Sequence, residues 1–105
     1  MDEPTTLEWR PRARLRYLLV LAEIHRHNAL AAQNLERLIS KKLRLVIRFP
    51  HLYRASTRVS GIREIVVTAN YLVPYRVTPS AVEILDVVHA RRDWPNPPQL
   101  TPPLH

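Results

Sequence analysis

The chain has 105 residues, of which 46% are hydrophobic, and this predicts one small globular domain rather than a disordered or multidomain protein. The absence of cysteine excludes disulfides, zinc fingers and thiol chemistry, and the single glycine excludes the Gly-rich loops that hold nucleotide cofactors. The net charge of +7, which comes almost entirely from arginine, favours an acidic partner, either nucleic acid or an acidic protein segment.

The first predicted element is a helix from Pro11 to His27, because proline suits a first helical turn and apolar residues then recur at helical spacing. These apolar residues form two adjoining stripes. One stripe consists of Leu15, Leu18, Leu19 and Ala22, and the other of Tyr17, Val20, Leu21 and Ile24. Two interpretations remain open: both stripes belong to a wide core face, or one of them binds a partner.

A second helix is predicted from Leu30 to about Arg48, with Asn28 as its cap. Because the connection is so short, the two helices must form an antiparallel hairpin. The expected core positions are Leu35, Leu38, Ile39, Leu43 and Val46. Four basic residues are spaced to lie along one helix face: Arg37, Lys41, Arg44 and Arg48. This face is either an ordinary solvated surface or a track for phosphates or an acidic peptide.

After Gly61 the apolar pattern changes from helical to alternating, which predicts strands at 62–68, 71–77 and 82–89 in an antiparallel meander. A loop at 78–81 places Arg76 opposite Glu83 as a cross-strand ion pair.

The faces of the sheet follow if residues 69–70 form the preceding turn. The face under the helices then collects Ile62, Val66, Tyr71, Val73, Tyr75, Val77, Val82, Ile84 and Val88, with Glu64 and Asp86 as exceptions. The opposite face collects Ile65, Val67, Leu72, Pro74, Leu85 and Val87, with Arg63, Arg76, Glu83 and His89 gathered at one end. A sheet surface this apolar is a candidate docking surface.

Together these elements predict an α+β domain in which an N-terminal antiparallel helical hairpin packs on a small antiparallel β-sheet. We expect this single domain to occupy residues 1–94. Five prolines fall within residues 95–105, and they predict an extended or disordered C-terminal tail. No apolar run is long enough to span a bilayer and the N-terminus is acidic, so we expect a cytoplasmic protein without a membrane partner.

Three segments carry a resemblance to a known family. They are residues 59–67 (VSGIREIVV), 71–77 (YLVPYRV) and 82–95 (VEILDVVHARRDWP), and two upstream pieces, 7–9 and 49–53, agree with them. Over roughly residues 5–95 the chain resembles the RelE/ParE toxin superfamily, and most closely its ParE-type members. The combination of motifs is far more specific than any single short pattern.

This resemblance implies the toxin half of a bacterial type II toxin-antitoxin module, held inactive by a cognate ParD-like antitoxin. The C-terminal segments of such antitoxins typically fold on the toxin and lie in apolar grooves. We therefore expect the antitoxin to contact apolar residues that are left over once the core is filled. These residues are Leu18, Leu21, Leu72 and Leu85.

The superfamily divides by cellular target. ParE-type members resemble inhibitors that bind DNA gyrase, whereas RelE-type members resemble endoribonucleases that cleave mRNA on the ribosome. Two RNase features are missing here, because Leu72 stands where several of those RNases have arginine and Ala90 follows His89 where some have a terminal tyrosine. The resemblance thus implies a binding inhibitor of gyrase rather than an enzyme. A ribosome-dependent RNase, or a degenerate toxin that only binds antitoxin, remains as an alternative.

The expected gyrase-binding residues are Arg63, Arg91 and Arg92 at the arginine-rich end of the sheet, because arginine offers rigid, multiply donating contacts. If the chain is an RNase, Arg63 and His89 form the candidate catalytic pair, since arginine can hold a phosphate and histidine can transfer protons. No metal site is expected because no pair of histidines has metal-ligand spacing. We also expect neither a cofactor nor a small-molecule substrate.

Overall fold

The computed structural model describes residues 6–92 and 94 of the chain. Within them the elements follow in the order β1 (Thr6–Trp9), α1 (Pro11–His27), α2 (Ala29–Arg48), β2 (Arg54–Ala55), β3 (Arg63–Val66), β4 (Tyr71–Val77), β5 (Ala81–Ile84) and β6 (Val88–His89). The helices pack on one face of the sheet, so the predicted α+β class is confirmed. None of the described helices is long and apolar enough to cross a lipid bilayer. The proline-rich tail predicted at 95–105 lies outside the described residues.

Asn28 is the single residue between α1 and α2, and it terminates one helix and starts the next. Its backbone N–H donates to the carbonyl oxygen of Ile24 at 2.8 Å. Its side-chain Oδ1 accepts a hydrogen bond from the backbone N–H of Ala31 at 3.0 Å, as an N-cap should. The predicted cap is therefore confirmed, and α2 begins one residue earlier than expected.

The strands lie side by side in the order β1-β5-β4-β3-β2, and β6 pairs with the start of β4. The neighbours are antiparallel except for β1 and β5, which run parallel, so the sheet is mixed rather than purely antiparallel. This parallel pair is possible because the helical hairpin carries the chain from β1 to β2 at the opposite edge, and β3 and β4 then return it to β5 beside β1. The predicted register of β4 and β5 is confirmed, with Arg76 opposite Glu83.

The register of β3 against β4 differs from the prediction by one residue. Ile65 pairs with Val73, and the chain reverses through a three-residue loop at 68–70 instead of a two-residue turn. The hydroxyl of Thr68 accepts hydrogen bonds from two following backbone N–H groups, which stabilises the longer loop. A shift of one residue moves every side chain of a strand to the other face.

The shift reverses the predicted faces of β3. Ile65 and Val67 lie in the core, so the prediction that they face away from the helices was wrong. Val66 was expected in the core and is 42% exposed on the opposite side. Glu64 also lies on that side, which we call the far face of the sheet.

The third predicted strand is interrupted by a bulge. Residues 85–87 oppose only two residues of β4, 73–74, so β5 ends before this point and β6 begins after it. The extra residue reverses the alternation beyond the bulge. Val87 belongs to the core and Val88 pairs with Leu72 on the far face, which is the opposite of the predicted placement.

The core fills the space between the helices and the sheet. From α2 it takes four of the five predicted positions, Leu35, Ile39, Leu43 and Val46, with Leu38 partly buried against them. From the sheet it takes Ile65, Val67, Val73, Tyr75, Val82, Ile84 and Val87. Helix α1 contributes fully buried Ala13 and a partly buried apolar stripe.

Candidate protein-binding surfaces

Helix α1 turns only one of its two apolar stripes towards the core. The stripe that packs there consists of Tyr17, Val20, Leu21 and Ile24. The other stripe is exposed: Leu15 is 47%, Leu18 56% and Leu19 51% accessible, and Ala22 beside them is exposed as well. We call Leu15, Leu18, Leu19 and Ala22 the leucine stripe. Apolar side chains grouped on one exposed face are typical of a protein-binding surface.

A groove of about 620 Å³ lies on the far face of the sheet. Its apolar lining residues are Pro11, Val59, Ile62, Pro74, Leu85 and Trp94. Three arginines also line it, Arg10, Arg12 and Arg76, together with Asp86, whose carboxylate is paired with Arg16. We call this cavity the far-face groove. An apolar groove with cationic side chains suits a partner segment in which carboxylates flank an apolar residue.

One carboxylate orients two of these arginines. Nε and Nη2 of Arg76 donate to Oε1 of Glu83 at 3.0 and 2.7 Å, and Nη2 of Arg10 lies 3.5 Å from the same oxygen. The hydrogen bond from Arg76, together with the charges of both arginines, lowers the pKa of Glu83 below its ordinary value of 4.5. The predicted Arg76–Glu83 ion pair is therefore confirmed, and it lies beside the far-face groove.

Glu64 holds Trp94 against the far face. Its buried carboxylate accepts from the indole N–H of Trp94 at 2.7 Å and from Nε of Arg54 at 2.8 Å. Burial by itself raises the pKa of Glu64, but hydrogen bonds from Ser56, Trp94 and Arg54 outweigh it and lower the pKa below 4.5. Nη1 of Arg58 also donates to the carbonyl oxygen of Trp94 at 3.2 Å. Glu64 is thus ionised at neutral pH and fixes one wall of the groove.

Arg63 supports the loop that follows α2. Its Nη1 donates to the carbonyl oxygen of Tyr53 at 2.8 Å and lies 3.5 Å from that of His51. Nearby, the hydroxyl of Tyr75 donates to the carbonyl oxygen of Pro50 at 2.7 Å, and burial raises the pKa of Tyr75 to about 12. Two residues of β3 and β4 therefore fix the path of residues 50–53.

His89 lies far from Arg63. His89 pairs with Tyr71 at the start of β4, whereas Arg63 pairs with Tyr75 four residues later, which corresponds to about 13 Å at the usual rise of roughly 3.3 Å per residue. The rings of His89 and Tyr71 meet edge to face with centroids 5.7 Å apart, and Nδ1 of His89 is buried without a hydrogen-bond partner. The structure does not bring the candidate catalytic pair together. Arg63, Arg76 and Glu83 lie near one end of the sheet as expected, but His89 lies at the other end.

Arg91 and Arg92 are exposed directly after β6. The backbone N–H of Ala90 donates to the carbonyl oxygen of Asn70, so this segment lies at the loop between β3 and β4. Two of the three predicted gyrase-binding arginines are therefore neighbours, while Arg63 lies further along the sheet. Arg91 also lines a pocket of about 400 Å³ with Arg54.

The four predicted antitoxin contacts fall in different environments. Leu18 belongs to the leucine stripe and Leu85 lines the far-face groove. Leu21 packs partly buried against the core. Leu72 is only 2% exposed, so its selection as a residue left over after core formation was wrong. It lies on the far face as expected, but there it is flanked by Val66 of β3 and Val88 of β6.

Comparison with known proteins decides the family. The family model for the ParE toxin of the type II toxin-antitoxin system parDE matches residues 7–94. The chain belongs to the ParE toxin family. The matched range runs from β1 to Trp94, so it includes the leucine stripe and the far-face groove of this ParE-type toxin.

A solved structure agrees with this assignment in fold. A chain of the chromosomal ParDE toxin-antitoxin system from P. aeruginosa is similar to this one with a TM-score of 0.72 and 16% sequence identity. The match covers 84% of this chain and 98% of that chain. No curated protein sequence matches the chain at a significant level.

The residues of the far-face groove were the main omission from sequence reasoning about this ParE-type toxin. Arg10, Val59 and Trp94 come from three distant parts of the chain and follow no common spacing. They are brought together by long-range contacts: Trp94 bonds to Glu64 and Arg58, and the backbone N–H of Arg10 donates to the carbonyl oxygen of Ile84. No periodic signal in the sequence could have identified them.

Proposed function

We propose that this ParE-type toxin is neutralised by a cognate antitoxin whose C-terminal segment covers the leucine stripe and the far-face groove. The observation that carries the proposal is the leucine stripe. Its three leucines are about half exposed on one helix face, although the core beneath the helix is already filled. Burying apolar surface contributes roughly 25 cal/mol per Å², so burial of the leucine stripe under a partner stabilises the complex.

The antitoxin segment combines apolar side chains with carboxylates. The leucine stripe extends over residues 15–22, about 10 Å of helix at 1.5 Å per residue, which fits two turns of an amphipathic helix. Arg10 and Arg76 beside the far-face groove share the single carboxylate of Glu83, so two positive charges there face one negative charge and attract an acidic side chain. The net charge of +7 attracts such a segment before contact.

The antitoxin proposal is tested by titrating purified toxin with the antitoxin encoded beside it. Leu18→Asp should weaken the complex by about thirtyfold or more, as expected for a central interface residue. Leu30→Asp is the matched control, because Leu30 is 63% exposed but lies at the start of α2 outside the stripe. Circular dichroism should show that both variants are folded. Equal affinities for the two variants would refute the proposed site.

The proposed target of the free toxin is DNA gyrase, inhibited by binding rather than by catalysis. Membership of the ParE family supports this target, because the resemblance of the chain to ParE-type members implies it. The separation of Arg63 from His89 also argues against an RNase, since general acid–base catalysis needs its groups within hydrogen-bond reach of one substrate. Arg91 and Arg92 are the proposed gyrase contacts, and Arg63 contributes by holding residues 50–53.

A further inference from the structure

The four basic residues on one face of α2 are all exposed. We call Arg37, Lys41, Arg44 and Arg48 the basic stripe. At 1.5 Å and 100° per residue, the stripe extends for about 16 Å and stays within roughly 60° of the helix circumference. Four positive charges are thus aligned along one narrow surface.

The basic stripe has no compensating negative charge in the described part of the chain. No carboxylate there lies within ion-pair distance of its four side chains, although other arginines such as Arg54 and Arg76 are paired. Glu36, the one acidic residue of α2, lines the cleft between the two helices instead. Like charges three or four residues apart on a helix repel one another and destabilise it. Binding of a polyanion relieves this repulsion.

We propose that the basic stripe binds the phosphate backbone of a single-stranded nucleic acid, DNA or RNA alike. A nucleic acid supplies one negative charge per nucleotide, which complements a linear array of cations. Arg44 borders an apolar pocket that Trp9 and Ile47 also line, so the test below includes an acidic peptide as the competing ligand. Arginine and lysine are donors without acceptors, so the contacts recognise phosphate rather than base sequence.

Phe49 favours a single strand over a duplex. Its side chain is 49% exposed at the C-terminal end of α2, and the guanidinium of Arg48 lies 5.4 Å from its ring centroid. Unpaired bases stack on exposed aromatic side chains beside arginine, whereas the bases of a duplex are already stacked on one another. The stripe and Phe49 together form a backbone track with one stacking position.

Fluorescence anisotropy of the purified chain tests this proposal without antitoxin or gyrase. The probes are labelled 20-nucleotide oligo(dT) and oligo(U), a duplex of the same length and a 20-residue polyglutamate. We expect the two single strands to bind alike and more tightly than the other probes. With four phosphate contacts the slope of log K against log salt should be about −3, so affinity should fall by about 50-fold between 50 and 200 mM salt.

Two variants of equal net charge separate the stripe from the charge of the whole protein. Lys41→Glu with Arg44→Glu should weaken single-strand binding at least tenfold and make the salt slope shallower by about 1.4, the contribution of two contacts. The matched control is Arg14→Glu with Arg26→Glu, at two exposed positions of α1, and it should retain the wild-type slope. Phe49→Leu should weaken binding by about fivefold without changing the slope, because it removes stacking only.

Three outcomes would overturn the proposal. Equal losses in both double variants would mean that the net charge alone attracts the probe. Tighter binding of the duplex would exclude a single strand as the ligand. Polyglutamate binding as tight as that of oligo(dT) would assign the stripe to an acidic protein partner instead.

Discussion

The indole N–H of Trp94 donates a 2.7 Å hydrogen bond to Oε2 of Glu64, which lies 30 positions earlier in the chain. The other carboxylate oxygen accepts from Arg54, so the charge of Glu64 is compensated although the side chain is almost fully buried. This contact closes one wall of the far-face groove. The stability of that surface is therefore linked to the ionisation of a single carboxyl group.

Glu64→Leu should detach Trp94 from the far face. The substitution keeps a side chain of similar size but removes both acceptor oxygens, and we expect a loss of about 2 kcal/mol in the free energy of unfolding. In a Trp9→Phe background Trp94 is the only indole, so its fluorescence emission should shift to longer wavelength in the folded variant. An unshifted spectrum would contradict the role assigned to Glu64.

The contribution of Glu64 should depend on pH in one direction. Its folded-state pKa lies below the ordinary value of 4.5, so between the two values the unfolded state binds more protons than the folded state. The stabilisation is therefore complete above about pH 5 and is lost as the pH falls through the depressed pKa. Urea unfolding from pH 7 to pH 3 should show the stabilities of wild type and Glu64→Leu converging at the acidic end.

Two ion pairs should differ sharply in their effect on stability. Nε of Arg16 lies 3.4 Å from Oδ1 of Asp86, and both side chains are buried, whereas the Arg76–Glu83 pair is partly exposed. Arg16→Ala leaves a buried carboxylate without this partner and should cost about 3–5 kcal/mol. Arg76→Ala should change the midpoint of urea unfolding only slightly. A large loss of stability for Arg76→Ala would mean that the Arg76–Glu83 pair is buried and contributes to the core.

Tyr75→Phe should destabilise the loop after α2. It removes the donor to the buried carbonyl oxygen of Pro50, and an unsatisfied buried acceptor costs about 1–3 kcal/mol. Tyr53→Phe is the control, because the hydroxyl of Tyr53 makes only a long 3.4 Å hydrogen bond to the carbonyl oxygen of Lys42. In thermal unfolding, Tyr75→Phe should have a lower midpoint than Tyr53→Phe. Equal midpoints would contradict the role assigned to the Tyr75 hydroxyl.

The hydroxyl of Tyr75 also predicts a loss of stability in strong alkali. The pKa of Tyr75 is raised from 10.0 to about 12 in the folded protein, so the folded state holds its proton where the unfolded state has released it. This stabilisation is complete below pH 10 and is lost as the pH rises towards 12. In Tyr75→Phe the corresponding pH dependence of urea unfolding should be weaker.

Growth arrest, gyrase supercoiling and cleavage of ribosome-bound mRNA, measured in parallel, separate the two candidate activities. For a binding inhibitor of gyrase, Arg91→Ala should reduce inhibition of supercoiling, because it removes an exposed multiply donating contact. His89→Ala should leave that inhibition nearly unchanged. If wild type instead cleaves mRNA and His89→Ala lowers that rate about a hundredfold, the chain is an RNase and the gyrase proposal fails.

The helical half of the fold and the turn into β5 could be predicted from the sequence because they depend on neighbours in the chain. The bounds of α1 follow from Pro11 and Asn28, whose effects act within one helical turn. The Arg76–Glu83 pair follows from a short loop that leaves one favourable register. The sequence also showed both apolar stripes of α1, but it left open which of the two packs against the core.

Only the tertiary structure decided the faces of the sheet and the far-face groove. A two-residue turn at 69–70 and a three-residue loop at 68–70 are both compatible with the local sequence, and they place Ile65 on opposite faces. The bulge at residues 85–87 reverses Val87 and Val88 in the same way. Leu72 is buried at a point where β4 pairs with both Val66 of β3 and Val88 of β6, two long-range pairings that no periodicity encodes. Short-range spacing therefore determined the elements, and long-range packing determined which of their residues remain free to bind.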